Sequence, residues 1–269
     1  MRRRDILVCA QSLAAGAALS FPAPAIAQGL RQLKMVTDWP AGSPGLQSSA
    51  ERLGQRISAA SDGRISIHVF PAGAFVRPFE TFDAVGAAGL GGEVLRRLGA
   101  SVINVPGGEI VQSLKSGAID GSEWVGPWLD MAMGLQKVAG YYYYPGFQEP
   151  GTGSAVGINK GVWESFDAST RRLIEDATAA EYTRSLAEFN FNNALWLRRL
   201  RDEGTVKILK FNDSVLKELY RISKDVIAEA SSGDDVSKRI YASYQHAFPL
   251  IMDWTDIAER AVLNSRGLA

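Results

Sequence analysis

The sequence predicts an α/β protein built on parallel strands, and three observations carry that reading. The chain opens with a strand–helix–strand unit: residues 33–37 are strand-forming, Leu46, Ala50, Leu53 and Ile57 recur on one helix face, and residues 65–70 are again β-rich. A second alternation of helical and strand patterns begins near Gly91. Long, charged helical patterns fill the C-terminal third. Strands joined through helices are the mark of a parallel α/β layer.

The elements follow in order. Pro40, Gly42, Pro44 and Gly45 prevent the first strand from continuing, because proline lacks a donor and glycine pairs weakly. Asp62 and Gly63 end the first helix. Val94, Leu95 and Leu98 give a short helix closed by Gly99, residues 101–105 a strand, and Pro106 to Gly108 a turn. Residues 110–115 give a helix stopped by Gly117. The four tyrosines at 141–144 read as a buried connecting strand ended by Pro145 and Gly146. Residues 154–158 predict another strand. A helix runs from about 167 to 203, with Asp167 as its N-cap and Gly204 as its stop. Residues 206–211 predict a strand, Asp213 caps a helix to about 231, and Asp234 or Asp235 starts a last helical region bent at Pro249. Residues 83–92 join one helix pattern to the next with no strand between them, where the alternation calls for one.

Composition narrows the function classes. Of 269 residues, 46% are hydrophobic and 22% charged, as in an ordinary globular protein. Lys plus Arg equals Asp plus Glu at 29, so no nucleic-acid footprint is expected. Arg2, Arg3 and Arg4, an apolar run from Ile6 to Phe21 and the small residues Ala25 and Ala27 read as an export signal. The pattern fits a twin-arginine (Tat) or a Sec signal, and the run is short for a membrane anchor. Cleavage after Ala27 removes the single cysteine, Cys9, leaving no thiol or disulfide chemistry. The chain has two histidines, His68 and His246, and lacks zinc-protease, phosphate-loop and nucleophile-elbow motifs. Gly89, Gly91 and Gly92 lack the spacing of a dinucleotide site. The chain is therefore read as not an enzyme, with a distant alternative in which Glu123 and Glu149 act as a glycosidase-type carboxylate pair.

The block from Leu90 to Ala100, then Pro106 to Ile110, Leu114 to Pro127, Tyr141 to Gly146, and Glu149-Pro150-Gly151 carries a resemblance. It resembles the solute-binding subunit of tripartite ATP-independent periplasmic (TRAP) transporters, in the subgroup that binds 2-oxoacids such as pyruvate. The resemblance implies a two-lobe periplasmic-binding-protein-like clamshell with long connecting helices. Residues 1–27 would be the signal peptide and 28–269 the solute-binding protein. Lobe I would be mainly 31–86 with returning segments after about 150, and lobe II mainly 89–140. It further implies a periplasmic location, a small organic-acid ligand, a sodium or calcium ion without organic cofactor, a homodimer, and membrane subunits as partners.

One departure is large. In the family, a strand patterned Lys-x-Arg-x-Pro-Gly precedes the Gly-Leu-Gly-Gly-Glu segment, and its arginine forks onto the substrate carboxylate. Here Gly86, Ala87 and Ala88 stand in that register. A longer upstream segment, carrying a glutamine of the ligand site, is also absent. The chain reads as joined from Val85 to Gly89, with lobe II truncated at its start and the clamshell incomplete. Lower stability is expected, since lost strands leave edges uncovered.

The candidate residues follow from this. A carboxylate ligand leaving water needs a cation or several N–H donors. By the resemblance, Glu123 would give carboxylate oxygen to a hard cation, and Trp124 would wall the pocket and lend its backbone carbonyl to the ion. Glu149 is either a pocket contact or a loop carboxylate. Trp39 lies in the first strand-to-helix loop, where α/β sheets bind ligands, and either lines the cleft or packs. Arg77 reads as a surface ion pair. The alternative to a working binding protein is a deletion remnant with weak or no ligand binding, retaining a helical dimerisation scaffold.

Overall fold

The computed structural model describes residues 30–74, 89–147, 151 and 153–267. The export signal, Arg77, the join at 85–89 up to Ala88, and Glu149 lie outside the described residues.

Two strands form first, β1 (Arg31–Val36) and β2 (Ile65–Phe70). They pair in parallel, from Arg31 opposite Ile65 to Val36 opposite Phe70. The helix between them, α1 (Leu46–Ala60), buries Ala50, Leu53 and Ile57, the face marked by the apolar spacing. After the break come α2 (Gly89–Arg97), α3 (Gly107–Ser116) and α4 (Pro127–Met133). A second parallel pair joins β3 (Tyr141–Tyr144) to β4 (Lys207–Lys210). Between them lie α5 (Lys160–Glu164) and the long α6 (Ala168–Glu203). The chain ends in α7 (Asp213–Ala230), α8 (Asp235–Thr255), a π turn at Asp256–Arg260 and α9 (Ala261–Arg266).

Apolar burial gathers in two clusters. Leu53, Ile57 and Ile65 pack with Phe166, Ile174 and Ala177, bringing the first α/β unit against the start of α6. Val94 packs with Leu219, Ile222 and Val226, joining α2 to α7. Arg97 reinforces the second contact by forking onto Glu229 at 2.9 and 2.6 Å.

The longest element is α6, whose start belongs to the first cluster. Its 36 residues span roughly 54 Å at 1.5 Å per residue. Asp167 caps it by accepting from the Thr170 amide at 2.7 Å. Gly204 ends it at φ 61°, a left-handed conformation that costs a Cβ-bearing residue energy. In its first half, Glu181 is 4% exposed and accepts from Ser49 Oγ and Arg52 Nε, both at 3.0 Å. Arg52 also reaches Glu188 at 2.5 Å. Farther along, Phe189 meets Trp128 of α4 edge-on at 5.2 Å.

Several expectations are corrected. Residues 101–105 and 154–158 are irregular rather than strands, since among the described residues neither finds a ladder partner for its backbone groups. The N-cap of α7 is Asn212, and Asp213 is its first residue, paired with Lys210 at 3.2 Å. The tyrosine strand is not buried: Tyr141, Tyr143 and Tyr144 are exposed and Tyr142 alone turns inward, and among the described residues β3 has a neighbour on one side only. The last helical region is α8, with Pro249 inside it as expected.

The Glu181 ion pair gives a stability test. Arg52→Met leaves a buried carboxylate poorly compensated and is expected to lower the unfolding free energy by about 3 kcal/mol. Glu188→Gln, at a partly exposed partner, is expected to cost about 1 kcal/mol or less. Urea unfolding of the two variants measures both; equal losses would contradict this account of Glu181.

Candidate functional site

The long helix, β1 with the loop that follows it, and the segment between α3 and α4 line one cavity of 2530 Å³. Small-molecule pockets usually hold roughly 300–1,000 Å³, so the cleft stands wide open for a small ligand. Its wall is mostly apolar, with Trp39, Glu123 and Trp124 all contributing.

Trp39 is placed by the first sheet. β1 ends at Val36, and Thr37 continues its direction by donating its amide to Phe70 O at 3.0 Å. The Thr37 hydroxyl is buried and donates to Gln47 Oε1 at 2.6 Å. Trp39, two residues later, accepts from the Ala72 amide at 2.9 Å. The loops after β1 and β2 are thus tied together where an open α/β sheet presents its ligand face. Trp39 is half-buried there.

Glu123 and Trp124 lie on the segment that leads from α3 into α4. Trp124 rests against the N-terminal turn of α3. A Cβ on Gly107 would stand 2.5 Å from Trp124 Cη2, so only glycine allows the indole this close. The indole Nε1 is buried and has no hydrogen-bond partner among the described residues. Glu123 is exposed at the cavity edge.

The end of this segment is held by side chains the sequence reading had not singled out. Asp130 Oδ1 accepts from the amides of Val125 and Gly126 at 3.3 and 3.1 Å. Asp130 Oδ2 accepts from Tyr142 Oη at 2.6 Å. Asn193 of α6 accepts from the Trp128 amide at 3.1 Å. Burial pushes the Asp130 carboxyl above the usual range, and its three donors oppose that shift. Burial and the neighbouring carboxylate push the Tyr142 phenol up. The one hint in the sequence was a carboxylate in the first turn of a helix begun by Pro127.

Among the described residues, no three His, Cys, Asp or Glu side chains gather to hold a metal ion. A hard cation beside Glu123 would draw on one carboxylate and on peptide carbonyls such as that of Trp124. These are oxygen donors of the kind sodium and calcium take. The described carboxylates lining the cavity are Asp38, Asp120, Glu123, Asp130 and Glu181, against the cations Lys34 and Arg201. Arg52 neutralises Glu181, so the described lining keeps a modest acidic excess, and an anion entering it gains from added positive charge.

The seat of Trp124 can be tested directly. Gly107→Ala forces the indole off α3 and is expected to change tryptophan fluorescence, whereas Gly108→Ala meets open space and should leave the spectrum unaltered. Identical spectra for the two variants would show that the close approach does not hold Trp124.

Comparison with known proteins places this arrangement. Residues 85–233 match the family model described as bacterial extracellular solute-binding protein, family 7. A monocarboxylate 2-oxoacid-binding periplasmic protein of Nostoc sp. is 35% identical over 176 residues, covering 65% of this chain and 48% of the relative. The chain thus spans about half the length of that curated relative. A TRAP transporter solute binding protein from Bordetella bronchiseptica is 23% identical, with a TM-score of 0.80 over 88% of this chain and 97% of its own. That structure is a mixed-occupancy dimer with one site holding calcium and picolinate and the other apo. A TRAP periplasmic solute binding protein from Colwellia psychrerythraea, with bound calcium and pyruvate, is 20% identical with a TM-score of 0.79 over 87% of this chain and 99% of its own. These likenesses establish the fold as the two-lobe α/β clamshell of such binding proteins, carried here on two-stranded sheets. Since the family match alone takes in more than half of the 269 residues, this chain belongs to the bacterial extracellular solute-binding proteins of family 7.

Proposed function

We propose that this chain is the extracytoplasmic capture subunit of a TRAP transporter. It takes up a small monocarboxylate of the 2-oxoacid kind together with sodium or calcium and passes it to membrane subunits. The observation that carries the reading is the meeting of Trp39 with the Glu123–Trp124 segment on one cleft beside α6. The curated relative from Nostoc, named for 2-oxoacid binding, supports the ligand class. Trp39, Trp124 and Glu149 contact the acid, and Glu123 and the Trp124 carbonyl hold the cation. A bound cation supplies the positive charge that a carboxylate requires in this acidic cleft. Residues 31–86 with the returning segments after about 150 form one lobe and 89–140 the other. Ligand binding favours the closed arrangement of the two, which narrows the cleft around a molecule much smaller than 2530 Å³. No turnover accompanies capture, and an amino-terminal signal, Tat or Sec, delivers the protein to the periplasm.

A homodimer completes the reading. No residue of α8 is buried, and Ile240, Ile251 and Trp254 are 65%, 62% and 63% exposed. An apolar helix face of this size is costly in water and is covered by a second copy of the chain. Trp254→Glu with Ile251→Glu is expected to convert a dimer to a monomer by analytical ultracentrifugation. A wild-type monomer, or a dimer unaffected by both changes, would remove this part of the reading.

The cleft volume favours a second reading, a remnant with weak or no ligand binding. Calorimetric titration with pyruvate decides between them, run with calcium, with sodium, and with neither ion. Capture predicts saturable, cation-dependent heat, and Glu123→Gln is expected to weaken it by about tenfold or more, the effect of removing a charged ligand oxygen. Flat titrations with pyruvate and other 2-oxoacids, on protein that melts cooperatively, would leave the remnant reading.

A further inference from the structure

The segment bearing Glu123 and Trp124 runs without regular secondary structure between α3 and α4. Its position must therefore come from tertiary anchors. One is the seat on Gly107 behind Trp124. The other is Asp130, whose two carboxylate oxygens face different parts of the fold. Oδ1 holds the amides of Val125 and Gly126, and Oδ2 accepts the hydroxyl of Tyr142 on β3. Asp130 is 7% exposed, and Tyr142 is the one tyrosine of its strand that turns inward. A carboxylate merely capping α4 has no need of a buried phenol brought from another element. With that phenol in place, the carboxylate is fixed at both ends, and the segment is tied to the β3–β4 sheet.

We propose that Asp130, clamped by Tyr142, is the positioning residue of the ligand segment: it sets where Glu123 and Trp124 stand in the cleft without touching acid or cation. This inference rests on reading Glu123 and Trp124 as ligand residues, but its physical core is observable in the unliganded protein. Tyr142→Phe removes only the clamp and leaves the carboxylate. Asp130→Asn keeps one acceptor oxygen and removes the charge. If both act through one device, their effects are non-additive in a double-mutant cycle.

The test compares these variants with the wild-type protein labelled with 15N and 5-fluorotryptophan, Trp124→Phe serving to identify the Trp124 fluorine line. Without ligand, both variants are expected to melt cooperatively and to show about tenfold faster amide exchange at Val125 and Gly126, the worth of one charge-assisted hydrogen bond. The Trp124 line is expected to shift in both. Unchanged exchange together with an unchanged fluorine line in folded Tyr142→Phe would overturn the proposal; that variant decides even if Asp130→Asn does not fold. Pyruvate and calcium are then titrated, with about tenfold weaker binding expected in the variants. Unweakened binding in both variants would also overturn the proposal. A wild-type protein that binds no acid would overturn the ligand reading, while the exchange and fluorine data would still decide whether Asp130 positions the segment.

Discussion

The arrangement depends on a buried carboxylate, Glu181, and the guanidinium that makes its burial tolerable. Glu181 lies on α6, and Arg52 reaches it from α1. A charge this deep needs a partner: Oε1 accepts from Ser49 and Arg52, while Oε2, without a hydrogen bond among the described residues, faces Arg56 at 3.8 Å, so the ion pairs fix the two helices at a defined distance. The same helix meets α4 through Phe189 and Asn193. The three elements converge at Gly45, where a Cβ would stand 2.6 Å from Phe189 and 2.8 Å from Trp128. Fastening α6 to α1 therefore also sets where α4 and the Glu123–Trp124 segment before it stand relative to the first sheet.

The cleft inherits its chemistry from this frame. Its walls are apolar, its charged groups are mostly acidic, and its volume is several times that of an ordinary small-molecule pocket. An acidic, open cleft is a poor host for a bare anion and a better one for an anion accompanied by a cation. The family match begins at residue 85, next to the place where the α/β alternation breaks. Segments 101–105 and 154–158 have strand-forming sequences yet pair with nothing among the described residues.

The apolar stripe of α8 obeys a different logic. Within the described residues this helix has no core to face, yet its sequence keeps Val236, Ile240, Tyr244, Phe248 and Ile251 on related turns. Tyr244 and Phe248 meet each other at 5.5 Å. Such a stripe is the surface on which the proposed homodimer rests.

Much of this molecule is settled locally and was legible in the sequence. The apolar spacing of Leu46 to Ile57 fixes α1 and its buried face, because a 3.6-residue period has one inward side. Asp167 and Gly204 bound α6, because capping and left-handed geometry are properties of single residues. The order of motifs from Leu90 to Gly151 was enough to indicate the family. What the sequence could not decide depends on partners distant along the chain. Residues 101–105 carry strand propensity, but a strand exists only where another backbone accepts its hydrogen bonds. The tyrosines of β3 have one face to bury, and only Tyr142 reaches the interior. Asp130 and Tyr142 are twelve residues apart and belong to different elements, so their hydrogen bond follows from the meeting of α4 with β3 rather than from any local pattern.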